Sequence, residues 1–182
     1  MSVFLREICK KDIPAVNRWR NDKRLSEYLC APFRYSNLEG DKDWFANYMR
    51  NRNTNLRCAI CLKRTKKIIG VVYLTSIDLI NRSAEFSIML GERDYQNKGI
   101  GTVVTRMMLE HAFLNLNLNR IFLVVQQDNN AGIRCYEKNG FRKEGVLREA
   151  LYKKGGYKDL VLMCVLRKYF QPLNCDTFTN KK

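Results

Sequence analysis

Between Asp94 and Val104 the chain reads DYQNKGIGTVV, and the residue types and spacing there suit one kind of chemistry, the holding of a phosphate. Gly99 and Gly101 stand close together behind a polar run, where they cost backbone entropy unless something compensates. A helix-like segment follows at once. The first turn of a helix has unpaired N–H groups, and its dipole adds about half a positive charge. The glycines clear side chains from close approach, Lys98 adds a full charge, Thr102 adds a hydroxyl, and Gln96 supports the loop or reaches a phosphate. A dinucleotide site would want G-x-G-x-x-G directly after a strand. Here Val104 takes the third glycine's place and a polar loop intervenes. A Walker-type G-x-x-x-x-G-K-[ST] is absent. A helix N-terminus wrapped around a pyrophosphate therefore stands beside the plainer reading, a glycine-rich turn packed on a sheet. Metal and thiol chemistry find less support. Cys58 and Cys61 form a C-x-x-C inside what reads as a strand, where positions three apart face opposite sides. No second pair follows, His111 is the only histidine, and no metal is expected.

Those residues need a scaffold, and the chain is long enough for one. Its 182 residues, 46% hydrophobic, fit a single domain with a filled core. The pattern predicts a domain over 1–170 and a polar C-terminal tail over 171–182. The first strand reads Val3–Ile8. A helix opens at Asp12 and Pro14, with Asp12 as its N-cap, and ends near Trp19 and Arg20. A second helix runs from Asp22 toward Leu29, and a third over Asp41–Arg50 with Trp44, Phe45, Tyr48 and Met49 on one face. The β-rich runs Leu56–Leu62, Lys67–Ile77 and Ser83–Leu90, separated by charged turns, predict an antiparallel meander. Gly99–Leu116 reads as an amphipathic helix, Arg120–Gln126 as a buried strand, and Asn129–Asn139 as a helix capped by Gly140. Two last strands flank the turn signal KKGG. This order predicts an α/β (α+β) fold, a mixed sheet with helices on both faces.

Composition narrows the setting. Lys and Arg total 33 against 18 Asp and Glu, a net charge of +15, which favours anionic partners at long range or is simply a solvated basic surface. The seven cysteines are odd in number and scattered, which suits a reducing compartment. The longest apolar run, Leu160–Leu166, is far short of the ~20 residues of a membrane span, and the N-terminus lacks the apolar stretch of a signal peptide. A cytoplasmic protein without a membrane partner is expected.

Two blocks in order resemble one family. Gln96 to Gly101 matches the Q/R-x-x-G-x-G/A signature of the GNAT acetyltransferase superfamily. Downstream, QDNNAGIRCYEKNGFRKEG resembles its N…Y-x-K-x-G-F segment, with Asn129, Tyr136, Lys138, Gly140 and Phe141 at the hallmark positions. RSAEFSIML, NLNRIFLVV and GGYKDLVLMCVLRKYF are most similar to the branch of ribosomal-protein and spermidine N-acetyltransferases. Gly132 departs from the Ala or Ser more usual there. The resemblance implies a mostly antiparallel sheet of about seven strands with a central splayed parallel pair, Ser83–Leu90 and Arg120–Gln126.

It also implies acetyl-CoA as co-substrate, lying in the splay and attacked directly by an amine in a ternary complex. Gln96, Asn97, Lys98, Gly99, Ile100, Gly101 and Thr102 would hold the pyrophosphate. A bulge near Ile88, Met89 and Leu90 would free N–H groups for the pantetheine arm and the thioester carbonyl, an effect worth ~2.7–4 kcal/mol per donor elsewhere. Asn129 would bind the pantetheine amide. A lysine-like amine, pKa ~10.4, must lose a proton before attack. Glu85 is the candidate base, against the reading of a surface carboxylate paired with Arg82. Tyr136 is the candidate acid for the departing thiolate, against that of a core tyrosine. For the acceptor, a protein N-terminus or a small amine such as a nucleotide-linked amino sugar fits the basic surface. Spermidine stands as the alternative, although Asn21–Arg52 shows no net acidic concentration. A non-catalytic ribosome- or RNA-binding module is the reading of another class. Nucleic acid is disfavoured as a partner because the stacking-aromatic and G-x-x-G signatures are missing. Pairing through the last strands would give a homodimer, with a monomer left open.

Overall fold

The computed structural model describes residues 2–172. Seven strands form one sheet: β1 (Val3–Glu7), β2 (Leu56–Leu62), β3 (Ile68–Asp78), β4 (Ser83–Leu90), β5 (Arg120–Gln126), β6 (Arg142–Lys153) and β7 (Gly156–Leu166). Their order across the sheet is β1-β2-β3-β4-β5-β7-β6. Every neighbouring pair is antiparallel except β4 and β5. This is the mixed, mostly antiparallel sheet with one parallel pair that the sequence predicts. The helices are α1 (Ile13–Arg20), α2 (Lys23–Ser26), α3 (Leu38–Arg50), α4 (Ile100–Glu110) and α5 (Asn130–Glu137). Gln171 and Pro172 apart, the predicted tail lies outside the described residues.

Strand periodicity splits the core in two. On β3 and β4, Val72, Leu74, Ala84 and Phe86 join Val104, Met108 and Leu109 of α4 on one face. Val71, Tyr73 and Met89, from the alternate positions, meet Ile13, Val16, Trp19 and Tyr48 from α1 and α3 on the other. Helices therefore cover both faces, with β3 and β4 between them. Trp19 lies so close over Gly91 that a Cβ there would fall 2.0 Å from its ring.

Several boundaries differ from the expected ones. Asp12 stands at the N-cap of α1 but makes no cap bond. Its carboxylate takes Arg6, at 2.6 and 2.7 Å, and the Cys9 N–H instead. The third helix starts at Leu38 because Asn37 Oδ1 accepts the Gly40 N–H at 2.7 Å. Its Met49 is exposed while Asp41 is buried, turning the buried face away from Met49. The second helix is one short turn, and the fourth passes into a π-helical turn over His111–Asn115. Gly140, at φ 86°, ends α5 as expected, donating to Glu137 O at 2.9 Å.

Candidate functional site

The parallel pair is short. Ser83, Ala84 and Glu85 of β4 pair with Arg120, Ile121 and Phe122 of β5, and no further residues do. Beyond Phe86 the two strands part, and the edge of β4 facing β5 loses its strand partner. The expected bulge at Ile88–Leu90 is absent. Gly70 to Thr75 pair without interruption with Leu90 to Glu85, and the register shift falls between Thr75 and Asp78. The splay itself frees main-chain groups of Ser87–Leu90, because a β-strand turns alternate N–H and C=O groups to each neighbour. Ile88 and Leu90 pack against the α4 core and Met89 against the α1–α3 core. With Gly91 N–H bonded to Ile69 O and Met89 paired with Val71, the alternation turns the main chain of Ile88 and Leu90 to the gap and that of Met89 to β3, against the expectation that all three are free.

The loop from Gly91 to Gly99 carries the chain from the end of β4 to the start of α4. Glu92 anchors it, accepting from Arg18 at 2.7 Å, Trp19 Nε1 at 3.0 Å and Lys67 at 3.0 Å. Gln96 takes the supporting role, its Nε2 donating to Leu90 O at 2.8 Å. Asn97 adopts φ 56° and Gly99 φ 76°, the left-handed turn that glycine makes without steric cost. Lys98 is exposed. The first helical bond of α4 runs from Val103 N–H to Gly99 O at 3.2 Å, and no side chain caps the helix. The N–H groups of Ile100, Gly101 and Thr102 thus have no helical acceptor. A Cβ on Gly99 would meet no atom within 4 Å, so the approach to these donors is open.

The two glycines differ in purpose. Gly101 faces α5, where an added Cβ would lie 3.5 Å from Cys135 Sγ. Thr102 Oγ1 also turns to Cys135 Sγ, at 3.6 Å, so its hydroxyl serves the α4–α5 contact and only its N–H faces forward. Asn129 is the N-cap of α5, its Oδ1 accepting the Gly132 N–H at 2.9 Å. A Cβ at residue 132 would come 2.8 Å from Asn129 Nδ2, which explains the glycine there.

Glu85 and Tyr136 flank the opening from opposite faces. Glu85 shares the α1–α3 side of β4 with Ser87 and Met89. The Tyr136 ring meets Phe86 edge-on at 6.1 Å and Phe141 at 5.7 Å on the α4 side. Among the described residues nothing bonds the Tyr136 hydroxyl, and it is not among the buried, unpartnered oxygens, so it keeps an outlet to solvent. Burial first, and then the neighbouring Cys135 and Cys30 thiols, push this phenol well above its ordinary range. It is therefore neutral at physiological pH and has a proton to give.

Sequence reasoning missed three groups here. Cys30 lies near both candidates, its thiol donating to Val124 O at 3.5 Å; burial, with some help from Glu85, raises its pKa. Buried Gln126 donates to Glu27 O at 2.7 Å and Leu29 O at 3.0 Å, and Lys153 donates to Ser26 O, Glu27 O and Leu29 O. Together they hold the segment after α2 at the mouth of the splay. Contacts between residues 97 to 127 apart in sequence leave no local signal. Tyr157 and Asp159 serve the hairpin: Tyr157 packs on Tyr152 at 5.2 Å, and Asp159 accepts the Glu149 N–H at 2.8 Å. Among the described residues Cys9, Cys30, Cys58, Cys61, Cys135 and Cys164 are free thiols. No group of three or more His, Cys, Asp or Glu is gathered there as a metal site would need. No described helix is long and apolar enough to cross a membrane.

Comparison with known proteins agrees with this geometry. The chain is 33% identical over 169 residues to the spermidine N(1)-acetyltransferase of Escherichia coli K12, covering 93% of this chain and 88% of that protein. It is 36% identical to the spermidine N(1)-acetyltransferase of Vibrio cholerae, over 91% of this chain and 94% of that one. The crystal structure of the Vibrio cholerae spermidine N-acetyltransferase in complex with CoA and spermine superposes with a TM-score of 0.86 at 28% identity, covering 92% and 96% of the two chains. Residues 2–142 match the model of the acetyltransferase (GNAT) domain. The seven-stranded sheet, its single parallel pair and these matches lead to one conclusion: the chain belongs to the GNAT acetyltransferase family.

Proposed function

We propose that residues 1–170 form one N-acetyltransferase domain that moves the acetyl group of acetyl-CoA directly onto a primary amine. The observation that carries this is the uncapped N-terminus of α4 beside the unpaired edge of β4. The donors of Ile100, Gly101 and Thr102 fit a pyrophosphate, and the β5-side main chain of Ile88 and the Leu90 N–H, whose carbonyl Gln96 already occupies, suit an amide-bearing arm. The bound co-substrate supplies an activated acyl thioester and a thiol leaving group. Gln96 and Asn97 shape the loop that presents these donors, and Lys98 adds charge at its rim. Asn129 orients α5, leaving its Nδ2 for the pantetheine amide.

Glu85 acts as the base that takes the amine's proton, from the face opposite Tyr136. The phenol of Tyr136, held neutral by burial, returns a proton to the departing sulfur. An acyl-enzyme on Cys30 is disfavoured, because its raised pKa leaves little thiolate at neutral pH. No step asks for a metal. The exposed edge strand β6, with Val146 and Leu147 open, supports a homodimer through the last strands, and a dodecameric structure of the Vibrio cholerae relative exists. A cytoplasmic location fits the free thiols.

Two acceptor readings follow. A protein N-terminus or a small amine, such as a nucleotide-linked amino sugar, suits the basic surface. Spermidine suits the names of the relatives at 33% and 36% identity. Calorimetric titration with acetyl-CoA, then an amine panel with a free-thiol readout, tests the whole reading. Binding plus turnover supports it; no binding of acetyl-CoA overturns it in favour of a basic binding module.

A further inference from the structure

On the Glu85 side of β4 lies a cavity of about 210 Å³, walled in part by Arg20, Trp44, Arg57, Tyr73, Ser87 and Met89. That is the liquid volume of about seven waters, room for a small polar group. Its floor, Ser87–Met89, is the same stretch of β4 that has lost its partner on the β5 side. No acidic residue is among its lining, and two guanidiniums are. Arg20 is occupied: it pairs with buried Asp41, which also accepts Asn17 Nδ2 at 2.6 Å.

Arg57 has no such counterion among the described residues. Its guanidinium lies 4.8 Å from the rings of both Trp44 and Tyr73 and 5.7 Å from that of Tyr48. Among the described residues no carboxylate pairs with it, and its Nε is buried without a hydrogen-bond partner. Burial and the neighbouring Arg20 work against its charge. Aromatic faces attract a guanidinium and the Tyr73 hydroxyl takes one of its donors, but Nε stays without a partner, and a guanidinium fork matches the oxygens of a carboxylate or phosphate.

Resting on the acetyl transfer proposed above, we infer that the acceptor of this chain carries an oxyanionic group that docks on Arg57 in this cavity, while its amine reaches the β4–β5 opening beside Glu85. The acceptor is thus a zwitterionic small amine, with a carboxylate or a phosphate a few bonds from the amino group. A polyamine would instead bring its second cation against Arg57, where like charges repel.

The test is a panel matched in the reacting amine and varied at the other end. 4-Aminobutyrate supplies a carboxylate, O-phosphoethanolamine a phosphate, 1-aminobutane nothing, and spermidine a cation. Thiol release gives kcat/KM for each, and calorimetry gives the acetyl-CoA affinity in parallel. The expected result for the wild-type protein is a preference of about tenfold or more for one of the anionic amines over 1-aminobutane and over spermidine, the size of one charged hydrogen-bonded contact. The better anionic arm identifies carboxylate or phosphate. Arg57→Gln should erase that preference through KM while acetyl-CoA affinity stays, and Arg57→Lys should restore part of it. Equal use of all four amines, or spermidine as the best, overturns the inference while leaving acetyl transfer standing. An Arg57→Gln protein that loses activity on every amine alike assigns Arg57 to packing and also overturns it. Failure of the wild type to bind acetyl-CoA brings down the acetyl transfer reading and this one together.

Discussion

Tyr136, the proposed acid, is a packed side chain with an unspent hydroxyl. Its ring is fixed by Phe86 and Phe141, while its oxygen makes no bond in the core. Removing only that oxygen should leave the fold intact. Tyr136→Phe is expected to lower kcat by about 10²–10⁴-fold, with an unchanged melting temperature and acetyl-CoA affinity. Stopped-flow turnover beside scanning calorimetry checks both halves. The pH profile gives a second reading. The folded phenol sits above its ordinary value of ~10, so its proton is held as pH rises through that value. No descending limb from Tyr136 should appear below about pH 10, and a fall in kcat centred near pH 8 would count against it as the acid.

At the scale of elements, the site depends on a segment that is itself barely regular. The turn after α2 is held by the buried amine of Lys153 and the amide of Gln126, both directed at main-chain oxygens. Lys153→Met keeps the stem and removes the donor. Leaving a buried carbonyl unserved costs about 1–3 kcal/mol, which should appear as a lower urea midpoint together with a raised KM for the acceptor. A second device clips three strands. Glu144 on β6 takes Arg120 of β5, at 2.7 Å for one oxygen, and the Cys164 thiol of β7 at 2.9 Å. The Arg120 guanidinium, then the thiol, hold this carboxyl down to about 2. A depressed carboxyl stabilises the fold above its unfolded pKa, and that stability drains as pH falls from about 4.5 to about 2. The pair is on the surface, so the effect is small. Glu144→Gln should lower the melting temperature slightly at pH 7, and the two proteins should converge near pH 2.

The whole molecule adds a long-range term. A net charge of +15 attracts an anionic co-substrate before any contact forms, and salt screens that attraction. KM for acetyl-CoA should rise several-fold between about 50 and 300 mM NaCl, with kcat nearly unchanged. A salt-independent KM would confine recognition to the short-range donors at α4.

What the sequence by itself determined were the features encoded within a few residues. Period-two runs placed the meander, and Gly99, Gly101 and Gly140 marked a helix start and a helix end. The blocks around Gln96 and Tyr136 carried the family because a left-handed turn into a helix start, at Asn97 and Gly99, tolerates few residue types. What only the tertiary structure decided were matters of distance between remote segments. The asparagine at 37, rather than the acid four residues on at Asp41, opens α3. The splay without a bulge frees the β4 edge. Lys153 crosses from β6 to serve carbonyls at the other end of the chain. Arg57 is one basic residue among many on paper. Only packing among Trp44, Tyr48 and Tyr73 makes it a cation at a cavity wall with no carboxylate partner among the described residues, because burial and pairing are set by which surfaces meet and not by the order in which they are made.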